Sequence, residues 1–492
     1  MWSAVSAVKF DLLSSLVNRL SPLWLTFIGS LLLSLVAMAG TDILARDAAF
    51  YMDIAHQVSI HGSSIALEMF NWPWFALLIA GTHAVTRIPL EVCAHLYCAL
   101  FMAGICTLLV DCIRQRAPEA TWWACLVVLA MPAINQFRWD IIREDGFWFF
   151  CTLALWLTLR WETYGGWLRA AAIYLAVAAA VLFRLEALTL LVALGVWQLP
   201  NLVIKAQRRH FFEFFWLPLV LLVPALVLLT SYVNWQSSRV ELMLALISPQ
   251  SIFANFNALV HQFGSSLINK YSVDEAGRII FFGMLASLVI KTVNMMGPFA
   301  MPFLWPRAWN VWQVYWKSFR PFAYVAAAYL VIMMLFFIHS QFMIGRYLSF
   351  LNVLLIPLLV VALARLASAY PKVGKVMIIL GVLMMVANVI SLGAKKTNFI
   401  AAGQWVAEHI DEHSPVFYED GRISYYAGRG YPQPTIPRET AIASTNLERY
   451  QYFIFEADEG ELWLQAWMAE HRMKALASFP QRKGKTVTVV GR

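Results

Sequence analysis

Four short stretches of this chain set ionisable side chains against apolar sequence, where charge is costly and each one asks for a reason. The first is Ala45-Arg46-Asp47-Ala48-Ala49-Phe50-Tyr51-Met52-Asp53-Ile54-Ala55. It predicts a helix with Asp47, Phe50, Tyr51 and Ile54 along one face. Asp47 then reads either as a proton acceptor or as an N-cap. Asp53, six residues on, falls on a different face, and Asp53→Asn is expected to leave activity intact. The second stretch, Arg138 to Gly146, includes Arg143 and Asp145; Asp145 is a second acid, or the N-cap of the helix that follows. The third holds Arg184 and Glu186, a functional pair or a structural ion pair. The fourth holds His339, Arg346 and Tyr347. An arginine at the mouth of a helix offers a planar fork of donors to a phosphate, or else it snorkels.

These residues need elements to hold them, and composition says what kind. The chain has 492 residues, 60% hydrophobic and only 13% charged, with a mean hydropathy of +0.64. So few charges cannot cover a water-facing surface, so lipid is the main solvent. The net charge of +8 comes from short Lys/Arg clusters between apolar runs, which fits loops beside anionic lipid and no nucleic-acid partner. The six cysteines lie in or beside apolar segments without metal-ligand spacing, and read as small buried hydrophobes.

About eleven transmembrane helices are expected, over 22–40, 90–113, 121–135, 147–163, 168–183, 187–204, 214–235, 279–299, 321–338, 347–368 and 377–394. The run 71–87 is ambiguous. If it does not cross, the basic clusters from Lys9 and Arg19 to Lys372 and Lys375 all fall on one side, which is then cytoplasmic. It is therefore read as interfacial or re-entrant on the outer face, within a loop 41–89. The domains expected are a transmembrane part, 1–394, and an external α/β tail, 395–492. The tail shows a helix near Trp405, strands at Val416-Phe-Tyr, Tyr452-Phe-Ile-Phe and Thr486-Val-Thr-Val-Val, and an amphipathic helix at Glu461–His471. On this topology all four stretches meet the outer face. A carboxylate there can take a proton from a hydroxyl or amine attacking an activated sugar carbon, while arginines neutralise a departing lipid phosphate.

In this order and topology the motifs resemble the GT-C class of membrane glycosyltransferases, in the bacterial branch of the lipid A aminoarabinose transferase and the protein O-mannosyltransferases. Asp47, Tyr51 and Ala55 match the spacing of the family's opening motif, with Ala48 where the family has Glu. Arg143 and Asp145 match its second loop, Arg184 and Glu186 an Arg-x-Glu element, and Arg346 and Tyr347 a late Arg-Tyr. The tail looks similar at Asp420-Gly421-Arg422-Ile423-Ser424-Tyr425-Tyr426, read as a strand and turn. A Lys-Pro-Pro element is absent, and Trp72-Pro73-Trp74 stands near its place. The resemblance implies a multi-pass protein of the bacterial inner membrane, N-terminus cytoplasmic and tail periplasmic. It implies an inverting transferase that takes a sugar from a polyprenyl-phosphate donor to a cell-envelope acceptor. Asp47 and Asp145 would be catalytic, and Arg346 and Arg184 would bind the donor phosphate. Glu186, Arg143, Tyr51, His339 and Tyr347 would support them. No cofactor is implied, and no residue cluster demands a metal. A ligase or polymerase acting on lipid-linked glycan, or a transporter or flippase, would also be a polytopic protein; the latter would want ionisable residues at mid-helix.

Overall fold

The computed structural model describes residues 21–232, 241, 244–245, 248–390, 397–432, 435–481 and 486–492. Lys9, Arg19 and part of the 236–278 loop lie outside the described residues. The chain forms two compact units. One comprises Met1–Leu35, Cys98–Arg138 and Arg143–Val389; the other comprises Val36–Tyr97, Trp139–Ile142 and Ile390–Arg492. The 41–89 segment belongs with the tail, because its residues bond to the tail's: the Leu44 N–H donates to the Tyr426 hydroxyl at 2.8 Å, and Arg46 Nε to Asp420 at 2.9 Å.

The first unit is helical. Among the described residues of the whole chain, seven helices are long and apolar enough to cross a membrane: Pro22–Ala39, Leu90–Arg116, Leu185–Val203, Ala276–Leu304, Arg320–Ser340, Gly345–Ala369 and Pro371–Val389. Each coincides with an expected span. The other four expected spans have physical reasons for falling short. The 121–135 run is cut to Thr121–Ala130 by Pro132, which starts a separate turn. Glu144–Tyr164 is long enough but carries Glu144, Asp145, Arg160 and Glu162. Trp167–Phe183 has 17 residues. The 214–235 run lies in Arg208–Tyr232 and continues beyond the described residues. Gly345–Ala369 is the pillar of the bundle. Its apolar window is 89% buried, as a helix must be when other helices surround it.

The second unit holds a four-stranded sheet of order β1-β2-β4-β3: β1 Val416–Tyr418, β2 Tyr452–Phe455, β3 Lys474–Phe479 and β4 Val487–Gly491. β1 runs parallel to β2, and β4 is antiparallel to both β2 and β3. Phe417, Phe453, Phe455, Leu464 and Trp467 form one apolar core on this sheet; Phe399, Val406, Ile423, Ile454, Val487 and Val489 form another. Three expected strands and the Leu462–His471 helix are present, and β3 is an addition. Asp420–Tyr426 is a correction. It is no strand and turn but a helix, Gly421–Tyr426, capped by the Asp420 carboxylate, which accepts from the Arg422 N–H at 3.0 Å.

Candidate functional site

In the helical unit the site is built on the start of the Glu144–Tyr164 helix. Gly146 lies against the Phe183 ring so closely that a Cβ there would stand 2.3 Å from it. The absent side chain lets the Phe183–Arg184 corner press onto the helix start, and Phe183 is wedged between Phe101 and Phe150 at 5.4 and 5.7 Å. Arg184 then reaches the Glu144 carboxylate at 2.7 Å and also bonds to Glu186, with Nε–Oε2 at 3.2 Å. Arg346, at the start of the Gly345–Ala369 helix, comes within 3.2 Å of the same Glu144 oxygen. The Arg184 guanidinium lies over the Tyr347 ring at 4.9 Å, and Tyr347's carbonyl accepts from the Tyr329 hydroxyl at 3.0 Å. Arg143 and Asp145 are buried on either side of Glu144.

The four-member network of Arg184, Glu186, Arg346 and Glu144 is electrically balanced. Each guanidinium presents its N–H groups as a planar fork. Sequence reasoning singled out Arg184, Glu186, Arg346 and Tyr347, and the structure joins them. It missed Glu144, which ties the two arginines together. It also missed Lys291, whose ammonium donates to the Met343 carbonyl at 2.5 Å, on the loop that leads to Arg346. His339 is hydrogen-bonded to Asn255 at 2.9 Å.

Asp47 and Tyr51 belong to the other unit, on the Arg46–His61 helix. The N-cap of that helix is Ala45, so Asp47 is not the cap. It stands in the first turn, where the helix dipole favours a carboxylate. The anticipated face is present: Tyr51 and Ile54 are buried, Tyr51 packs on Phe75 at 5.6 Å, and Phe50 on Tyr431 at 5.7 Å. Asp47 lines a cavity of about 680 Å³ with Arg46, Glu419, Tyr431, Arg438 and Glu439. Its arginines are tied back: Arg46 to Asp420 and Glu456, and Arg438 to Glu419, with Nε–Oε1 at 3.0 Å. Burial alone would raise the Asp420 carboxyl, but the Arg422 guanidinium and N–H, with Arg46 beside them, hold it well below the usual carboxylate range.

Asp53 is buried and accepts from the Tyr431 N–H at 2.9 Å, so it fastens the 428–431 turn to the helix. Burial pushes its carboxyl above the ordinary value, against the pull of that hydrogen bond. It lines a second cavity, of about 560 Å³, with His56, His61, Glu91, Glu412 and Arg429. Among the described residues no group of three or more His, Cys, Asp or Glu side chains is arranged to hold a metal ion.

No family model and no curated protein matches this chain. Solved structures do. ArnT from Cupriavidus metallidurans in the apo state aligns with a TM-score of 0.59 at 13% identity, covering 99% of this chain and 98% of that one. The same protein bound to undecaprenyl phosphate aligns with a TM-score of 0.58 at 12% identity, covering 95% and 97%. At such identities the likeness is one of fold, and it runs the length of both chains. The fold is that of ArnT, the GT-C architecture the resemblance leads one to expect.

Proposed function

We propose that the chain is a glycosyltransferase that takes a sugar from a polyprenyl-phosphate donor and delivers it to a cell-envelope acceptor on the outer face of the membrane. The observation that carries this reading is the ArnT fold over nearly the whole chain, combined with a buried pair of arginines sharing one carboxylate. That one ArnT structure holds undecaprenyl phosphate supports a lipid-linked donor.

In this reading the acceptor hydroxyl or amine attacks the anomeric carbon, and its proton passes to Asp47. The bond from that carbon to the phosphate oxygen breaks, and the configuration inverts. Asp145 is the second acid. Arg346 and Arg184 take the negative charge of the departing polyprenyl phosphate. Glu186 orients Arg184, and Tyr347 backs it. Arg143, Tyr51 and His339 support these groups. The cavity beside Asp47 has room for a sugar-sized acceptor group. Charge parity of the loops puts the N-terminus in the cytoplasm and the tail outside.

The test is Asp47→Asn. The amide is nearly isosteric but cannot accept the proton, and general-base catalysis is worth roughly 10² to 10⁴ in rate. Turnover of donor lipid should fall at least about a hundredfold, with donor binding and thermal stability retained. Activity within a few-fold of the parent would remove Asp47 from the mechanism.

A further inference from the structure

A third cavity, of about 290 Å³, lies in the helical unit at the opposite end of the Glu144–Tyr164 helix from Glu144. The proposed chemistry does not use it. Trp161, Glu162, Trp197, Gln198, Asn201, Gln207, His210 and Arg320 line it. At the ~1.5 Å rise of an α-helix, Trp161 stands about 25 Å along the axis from Glu144.

Several of the cavity's polar groups are donors. Trp161 is 3% exposed, and its Nε1–H has no hydrogen-bond partner among the described residues. A buried donor without an acceptor costs about 1–3 kcal/mol, so it marks a place for one. Gln198 is fully buried, and its carbonyl oxygen accepts from the Asn201 amide at 2.6 Å, so its own N–H pair is not spent on that bond. The acid, Glu162, is met by Arg116 at 2.8 Å. Arg320 is the first residue of the Arg320–Ser340 helix and shares the cavity with Glu162, on which it acts electrostatically. A cation at a helix N-terminus stands against the dipole, and an anion beside it would relieve that. Trp161 also packs edge-on against Trp197 and Phe214, at 6.3 and 4.7 Å, which gives the cavity an apolar floor.

We propose that this cavity binds a phosphate group, held by the Trp161 N–H, the Gln198 amide and the Arg320 guanidinium. A phospholipid headgroup is the source favoured by its surroundings. Leu199, Leu202 and Val203 are exposed on the helix that carries Gln198 and Asn201, so acyl chains would have an apolar surface there. The site does not depend on what the protein catalyses.

The experiment is native mass spectrometry of the full chain, delipidated in detergent. Three probes are offered separately: phosphatidylglycerol, a diacylglycerol glucoside with the same chains and no phosphate, and inorganic phosphate. One phosphatidylglycerol should be retained per chain in preference to the glucoside. Trp161→Phe keeps a ring but loses the N–H, and should weaken retention about 10- to 100-fold, the worth of one hydrogen bond to a charged acceptor. Arg320→Gln should weaken it at least as much. Asn201→Asp, nearly isosteric, should weaken it by adding a negative charge, and serves if Arg320→Gln does not fold. Arg209→Gln, basic and outside the lining, should change little. Retention of inorganic phosphate alone, with the same sensitivity to the variants, would support the site with free phosphate as its source. Equal retention of phosphatidylglycerol and glucoside, or phosphate binding unmoved by Trp161→Phe and Asn201→Asp, would overturn it.

Discussion

The two units each contain a knot of arginines and carboxylates, made of the same groups in different surroundings. In the helical unit Glu144, Arg184, Glu186 and Arg346 have side chains 4, 12, 16 and 18% exposed. In the other unit Asp420 and Arg422 are buried, but Arg46, which joins them, is 61% exposed. The first knot exists in a poor solvent for ions, where every charge must be answered by another. The second is open to water on one side, where screening makes each contact worth less. A group that must receive a charged phosphate and release it suits the first setting. A group that must take a proton from an incoming acceptor suits the second.

The comparison can be broken at its strongest point. Glu144→Ala leaves two buried guanidinium groups without their shared carboxylate, and breaking a buried pair costs about 3–5 kcal/mol. Unfolding of the purified protein in detergent should show a loss of that size, and a loss below about 1 kcal/mol would mean that water already reaches the knot. Next comes Gly146→Ala, which drives a methyl into a ring that Phe101 and Phe150 hold in place. Overpacking of this kind costs about 1–3 kcal/mol and should lower donor turnover as well, since Phe183 sets the position of Arg184.

The water-facing unit should show its difference in pH dependence. The Asp53 carboxyl is raised in the folded chain from an ordinary value of 3.8, so its contribution to stability is complete below that value and is lost as pH rises through the raised one. Asp420 is lowered, so its contribution is present above the ordinary value and is lost as pH falls through the lowered one. Asp53→Asn keeps an oxygen for the Tyr431 N–H while removing the buried charge. The variant should be more stable than the parent at neutral pH and should lose the decline on the alkaline side, as followed by unfolding scans against pH. The smallest effect is expected from Arg46→Gln, below about 1 kcal/mol because the side chain is largely in water.

What could be read in the sequence follows the same contrast. Seven spans were legible because a long apolar run has few alternatives in a membrane protein. The arginines were legible because charge stands out against such runs. Glu144 was not, because Arg143, Glu144 and Asp145 are adjacent. The residue shared by two arginines is decided by partners some forty and two hundred positions away. In the tail, β3 escaped notice because as an edge strand it has no more than one half-buried face, and its Lys474 start reads as loop. The 421–426 helix was misread because a single helical turn is too short to show a period, and only the Asp420 cap announces it. The structural role of Asp53 was not legible because the group it serves, a backbone N–H, has no signature in sequence.

The pillar helix Gly345–Ala369 carries one more implication, for the order of events in biogenesis. It is the most apolar of the seven spans, yet 89% of its apolar window is shielded from the surroundings by the rest of the protein. The finished bundle does not require that much oiliness, since packed helices tolerate polar groups that find partners. The requirement belongs to an earlier moment, when a nascent segment leaves the translocation machinery alone and must choose lipid over water by itself. Selection on its side chains therefore acts twice, first for partitioning as a solitary rod and later for fit as the hub of a bundle. A polar replacement on its surface can fail at synthesis even where the mature protein would have accepted it.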